Sequence, residues 1–154
     1  MRYRSDQMIL TVKLKADKII INKTKNMDKV VHFEIPTEDM ERAKKFYHET
    51  FGWKLQDFPE LKYVIASTVA VDDKQMPKES GAINGGMMKR NDIVTGPSFS
   101  INVDDIDEAT EKVKEAGGKI LKEKVPVGDM GFMVYFADTE GNVLSLWQTV
   151  PAQK

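Results

Sequence analysis

Cysteine is absent from the sequence, which removes disulfides, thiolate nucleophiles and zinc–thiolate clusters together. Histidine is scarce. With only two, His32 and His48, in 154 residues, any metal site would lean on carboxylates, amides or hydroxyls. No apolar run approaches the roughly 18 residues that a membrane span needs. The first residues lack the apolar core and small-residue cleavage site of a secretory signal. A formal charge of −1 gives no field to attract a polyanion, so neither a nucleic-acid nor a membrane partner is expected. The expected location is the cytoplasm. What the chain does have is apolar content, 41%, enough to bury the core of one ordinary domain.

Charge is unevenly spread. Residues 1–26 carry a net +5 and the rest −6, which marks a boundary near Met27. Two readings of this basic N-terminal extension stay open. The alternation of Ile9, Thr11 and Lys13 with Leu10, Val12 and Leu14, followed by the apolar Ile19–Ile21, fits a hairpin added to the body. A plain extension in front of a single domain over 27–154 fits as well.

An internal repeat sets the architecture. Shifting the chain by 66 residues lays His32–Leu55 over Ser98–Leu121, with Phe33/Phe99, Ile35/Ile101, Asp39/Asp105, Ala43/Ala109, Glu49/Glu115, Gly52/Gly118 and Leu55/Leu121 identical. Seven identities in 24 positions imply duplication of one supersecondary unit. Each copy opens with a two-residue alternation: Val31, Phe33 and Ile35 in one, Phe99, Ile101 and Val103 in the other. That period predicts a strand with one apolar face. Helical stripes follow, at Met40, Ala43, Phe46, Tyr47 and Phe51, and at Ile106, Ala109, Val113 and Ala116. Asp105 with Glu108 reads as a capping box, and Gly52 and Gly117–Gly118 as left-handed stops. Short strands are predicted near 53–58, 61–68 and 81–89, then 119–124, 131–137 and 142–148. The result is an α+β fold of two βαβββ modules, 28–90 and 97–148.

The helix of each module must cover the apolar strand face, so Phe33, Ile35, Phe99 and Ile101 are expected in the core. The opposite face bears His32, Glu34, Ser98, Ser100 and Asn102. Two curled sheets side by side would enclose a wet cleft lined by these residues; a solvated outer sheet face is the plainer alternative. Ser145 shares its face with Trp147. Tyr63, Met87, Met133 and Tyr135 lie on walling strands, with their facing open. His48, beside Lys44 and Lys45, reads as a surface residue. The glycines of GAINGGMM read as close backbone approach or bulges in a strand.

The stretches VVHFEIPTEDMERAKKFYHETFGWKL, INVDDIDEATEKVKEAGGKIL and YFADTEGNVLSLWQ resemble the vicinal oxygen chelate superfamily, which includes glyoxalase and bleomycin-resistance proteins. The resemblance covers about residues 28–148 and points to the glyoxalase-like group of mostly unassigned activity. It implies a curled mixed sheet around a cleft and a homodimer. It also implies a divalent ion held by the first and last strands of each module. Those positions fall on His32 and Ser98, and on Ser145 and a residue near Gly85. Only His32 is a competent ligand, since hydroxyls hold such ions poorly, so no metal cofactor is expected.

The leading expectation is therefore a small-molecule-binding protein with a degenerate metal site, its cleft lined by Ser98, Ser100, Asn102, Ser145, Trp147 and Tyr63. An alternative is a lyase or isomerase related to lactoylglutathione lyase, acting on a carbonyl or thioester compound with His32 and Glu34 as acid/base pair. His32 as a hydrogen-bonding filler is the plainer reading of the same residue. A protein-interaction module is the third possibility. Extradiol-dioxygenase chemistry lacks its two-histidine, one-carboxylate iron set.

Overall fold

The first apolar alternation becomes β1 (Lys29–Thr37) in the computed structural model, which describes residues 27–74 and 76–151. Asp39 then caps α1 (Met40–Phe51) by accepting from the Arg42 amide, and Gly52 closes it at φ 69°. The module is completed by β2 (Lys54–Phe58), β3 (Tyr63–Ser67) and β4 (Gly85–Lys89). The second module repeats the order with β5 (Ser98–Asn102), α2 (Ile106–Glu115), β6 (Lys119–Val127), β7 (Gly131–Ala137) and β8 (Val143–Thr149). The reading of residues 1–26 lies outside the described residues.

Among the described residues eight strands form one curled sheet in the order β2-β3-β4-β1-β5-β8-β7-β6. Within each module the first and last strands run parallel, β1 with β4 and β5 with β8. The modules meet through β1 and β5, which run antiparallel with Phe33 opposite Phe99. These two are repeat mates. A residue paired with its own mate lies on the axis relating the copies, so a pseudo-two-fold passes between the two phenylalanines.

One face of the sheet is apolar. In the second module Val103, Ile106, Val134, Phe136 and Leu146 form its core, with Ala109 and Val113 of α2 packed against it. Burying each of the larger side chains contributes about 1.5–3 kcal/mol.

The first module departs from the expected packing. None of the α1 residues is fully buried, and Phe46 and Phe51 are 53% and 58% exposed. The 66-residue shift explains the difference. Met40, Ala43 and Tyr47 are mates of Ile106, Ala109 and Val113, the packing stripe of α2, whereas Phe46 and Phe51 are mates of the outward Lys112 and Gly117. The stripe predicted for α1 was thus wider than the face it can bury. Phe46 and Phe51 instead gather with Tyr47 and Trp53, whose rings stack 4.8 Å apart. Trp53 in turn lies 5.5 Å from Phe33. Phe99, expected in the core, is half exposed, because the aromatic cluster gathers on Phe33 alone.

Candidate functional site

Sheet register puts the polar candidates on the face opposite the helices. His32 lies across from Ser100 and Glu34 across from Ser98. Glu34 is also beside Gly86 on β4. Ser145 lies between Ser100 and Tyr135, and Asn102 beside Trp147. Tyr63 is paired with Met88. The structure thus brings His32, Glu34, Ser98, Ser100, Asn102, Ser145, Trp147 and Tyr63 onto one surface, together with Tyr135 and Met133. Met87 does not join them; it faces the other side and is fully buried there, and Met88 takes the position facing the site.

The groups on this surface bond one another. His32 Nε2 and the Tyr63 hydroxyl are 2.8 Å apart. Tyr135 donates to Glu34 Oε2 at 2.8 Å. The Ser100 and Ser145 hydroxyls share a hydrogen bond of 2.8 Å, and Ser98 donates to the Val143 carbonyl at 2.8 Å. Ser98, Ser100 and Ser145 are buried, as is Glu34, at 4% exposure. The expected wet cleft is therefore a bonded polar layer, with Glu34 buried inside it. The physical reason is that buried donors and acceptors must be paired. Tyr63 and Tyr135, whose direction depends on register, supply the partners. His32 and Tyr63 remain partly open to solvent.

Burial sets the electrostatics. It pushes the His32 imidazole down to about 4, so this ring is neutral at pH 7. It pushes the Glu34 carboxyl up, opposed by the hydrogen bond from Tyr135. Both tyrosine hydroxyls are pushed up, first by burial and then by the charge of Glu34. His48 is elsewhere: exposed near the end of α1, with Nδ1 3.0 Å from the Trp53 carbonyl.

The family's ion-binding positions can now be placed by register. Glu34 and Ser100 are repeat mates; Glu34 pairs with Gly86 and Ser100 with Ser145. The mate of Ser145 is therefore Gly86, one residue beyond Gly85. The four positions read His32, Gly86, Ser98 and Ser145. Gly86 offers no side chain, and a Cβ there would run into the Tyr63 ring and hydroxyl. One imidazole and two engaged hydroxyls do not fit a divalent ion. Among the described residues no three His, Asp or Glu converge on a point.

Twin βαβββ modules joined at their first strands, with a polar surface on the face away from the helices, define a protein of the glyoxalase type. Residues 29–68 match the family model described as bleomycin resistance protein-like N-terminal. A glyoxylase-like domain-containing protein of Didymella fabae is 40% identical over 114 residues, covering 71% of this chain and 84% of that one. The lactoylglutathione lyase of Haemophilus influenzae is 28% identical over 116 residues, covering 73% and 86%. Some relatives are longer, and the chain spans 43% of the putative glyoxylase of Mycobacterium bovis. Methylmalonyl-CoA epimerase from Mycobacterium tuberculosis superposes with a TM-score of 0.56 at 15% identity, over 79% of this chain and 88% of that one. This chain belongs to the vicinal oxygen chelate superfamily, among its glyoxalase-like members.

Sequence reasoning missed Gly86 and left the direction of Tyr135 undecided. The pairing of β3 with β4 and of β7 with β8 was the missing information. The run Gly85–Gly86 was the available signal, since two adjacent glycines in a strand mark close approach.

Proposed function

We propose that the chain binds an uncharged or weakly polar small molecule on its polar sheet face, without the divalent ion of its metal-dependent relatives. The donor set at the four family positions carries this reading: His32, Gly86, Ser98 and Ser145 supply one imidazole, two hydroxyls and no carboxylate. Such a surface offers hydrogen bonds and aromatic contact from Tyr63, Tyr135 and Trp147. Titrating carbonyl and aromatic compounds while following Trp emission tests it. The expected outcome is a saturable change that Trp147→Phe removes, with Trp53 as background. A flat response across both compound classes would count against binding on this face.

Glu34 favours a second reading, a lyase or isomerase acting on a carbonyl or thioester compound. A buried carboxyl held above its ordinary range by burial suits a base that takes a proton from carbon at neutral pH. Lactoylglutathione lyase and methylmalonyl-CoA epimerase among the similar proteins lend support. Solvent deuterium entering the position next to the carbonyl, and lost with Glu34→Gln, separates turnover from binding alone.

A further inference from the structure

We propose that Tyr63 stands in place of the family's ion, its hydroxyl, backed by His32, serving as the donor that meets a ligand's carbonyl oxygen. The inference rests on the binding reading above and names the contact on which that binding turns.

Gly86 holds a position that its mate fills with a serine side chain. Its backbone is not in the left-handed region that requires glycine; the positive-φ glycines are Gly52, Gly81, Gly117, Gly128 and Gly141. Space is the remaining reason for glycine here. Any Cβ would collide with the Tyr63 ring edge and hydroxyl, so the missing side chain and the inserted ring are two halves of one arrangement.

The same hydroxyl lies 2.8 Å from His32 Nε2, the one strong ligand atom in the four positions. Imidazole and phenol therefore engage each other, and the ring nitrogen is not free for an ion. When the ring hydrogen is on Nε2, His32 donates to the Tyr63 oxygen and the phenol hydrogen is left to point at a ligand. Hydrogen bonds in line polarise one another and strengthen the last donor. The other tautomer takes the phenol hydrogen for itself, and an arriving acceptor selects against it.

Access and charge narrow the ligand class. Ser100, Ser145 and Glu34 are buried and bonded to protein groups, whereas His32 and Tyr63 are partly open. Glu34 sits beside Gly86 in the sheet, and among the described residues no ion pair neutralises it. An anionic oxygen would lose its hydration beside a buried carboxyl that offers it no positive charge. A neutral carbonyl, in a ketone, ester or thioester, meets only the donor.

Acetophenone labelled with carbon-13 at its carbonyl is the probe. In the native chain the bound carbonyl stretch should move to lower wavenumber than in alkane solvent. Tyr63→Phe should return it toward the alkane position and weaken the acetophenone response of Trp147 emission roughly three- to tenfold, the range for one neutral hydrogen bond. Gly86→Ala keeps the phenol but displaces the ring, and should also lose the shift; thermal melts identify a variant that has unfolded. A shifted band persisting in folded Tyr63→Phe would overturn the proposal, because another donor would then hold the carbonyl. No bound band with acetophenone would overturn this proposal, and a flat Trp147 response across the carbonyl and aromatic compounds as well would remove the binding reading with it.

Discussion

Tyr135 donates its hydroxyl hydrogen to Glu34 at 2.8 Å across 101 positions of sequence. The bond ties β7 of the second module to β1 of the first, and it is the principal polar partner of a buried carboxyl. Tyr135→Phe should therefore cost about 1–3 kcal/mol at pH 8, as for any buried acceptor left without its donor. Urea unfolding at pH 8 and pH 5 checks this. The loss should shrink at the lower pH, because the hydrogen bond favours the charged form.

Glu34→Gln should act in the opposite direction. The folded-state carboxyl titrates above its ordinary value, so the folded state bears a cost of ionisation above the folded pKa and none below the unfolded one. Glutamine removes that cost and still accepts from Tyr135. The variant should melt higher than the native chain at pH 8 and level with it near pH 4. A lower melting temperature at pH 8 would mean that the charge is better solvated than its burial implies.

His32 gives a second pH signature, of opposite sign. Its folded-state value lies near 4 against 6.5 for the free side chain. The unfolded chain takes up the proton first, so stability is full above about pH 6.5 and falls as the pH drops toward 4. The whole loss is about 3 kcal/mol. Glu34 is a second buried titratable group on the same face, so the comparison must be with His32→Gln. The difference between native and variant unfolding free energies should slope from pH 6.5 to 4 and flatten outside it.

Elemental analysis of purified protein should find well under one equivalent of zinc, nickel, iron or manganese. The donor set at His32, Gly86, Ser98 and Ser145 motivates this outcome. A full equivalent of any of these ions, lost with His32→Ala, would overturn the metal-free reading.

Deleting residues 1–26 should leave a domain that melts cooperatively. Among the described residues the eight strands of the sheet lie between Lys29 and Thr149, so each of their pairings survives the deletion. Loss of a cooperative transition would assign the extension a structural role in the sheet.

Most of the architecture was legible in the sequence. Period-two alternation in His32–Ile35 and Ser98–Val103 and the 66-residue repeat were enough for two βαβββ modules, because both signals are local. Contacts that depend on pairing between distant strands were hidden. Whether Tyr63 and Tyr135 faced the helices or the polar surface turned on the registers of β3 with β4 and β7 with β8, which no local pattern states. For the same reason the family position falls near Gly85 by sequence and on Gly86 by register, and only register gives the site-facing place on β4 to Met88 rather than Met87. In α1 the error had another source. Five apolar residues at helical spacing form a stripe wider than the packing face, since only Met40, Ala43 and Tyr47 have packing mates in α2.

Phe33 opposite Phe99 has a consequence for how the protein arose. A single module could have joined a second copy of itself along this strand, each phenylalanine meeting its twin, so that a change there altered both sides of the seam at once. Fusion into one chain freed the two sides to differ. Their first strands differ chemically: one carries the imidazole of His32, and the other the hydroxyl of Ser98 in its place. The symmetry of the backbone now holds an asymmetric set of side chains, and a ligand lying across the axis would meet two different hands.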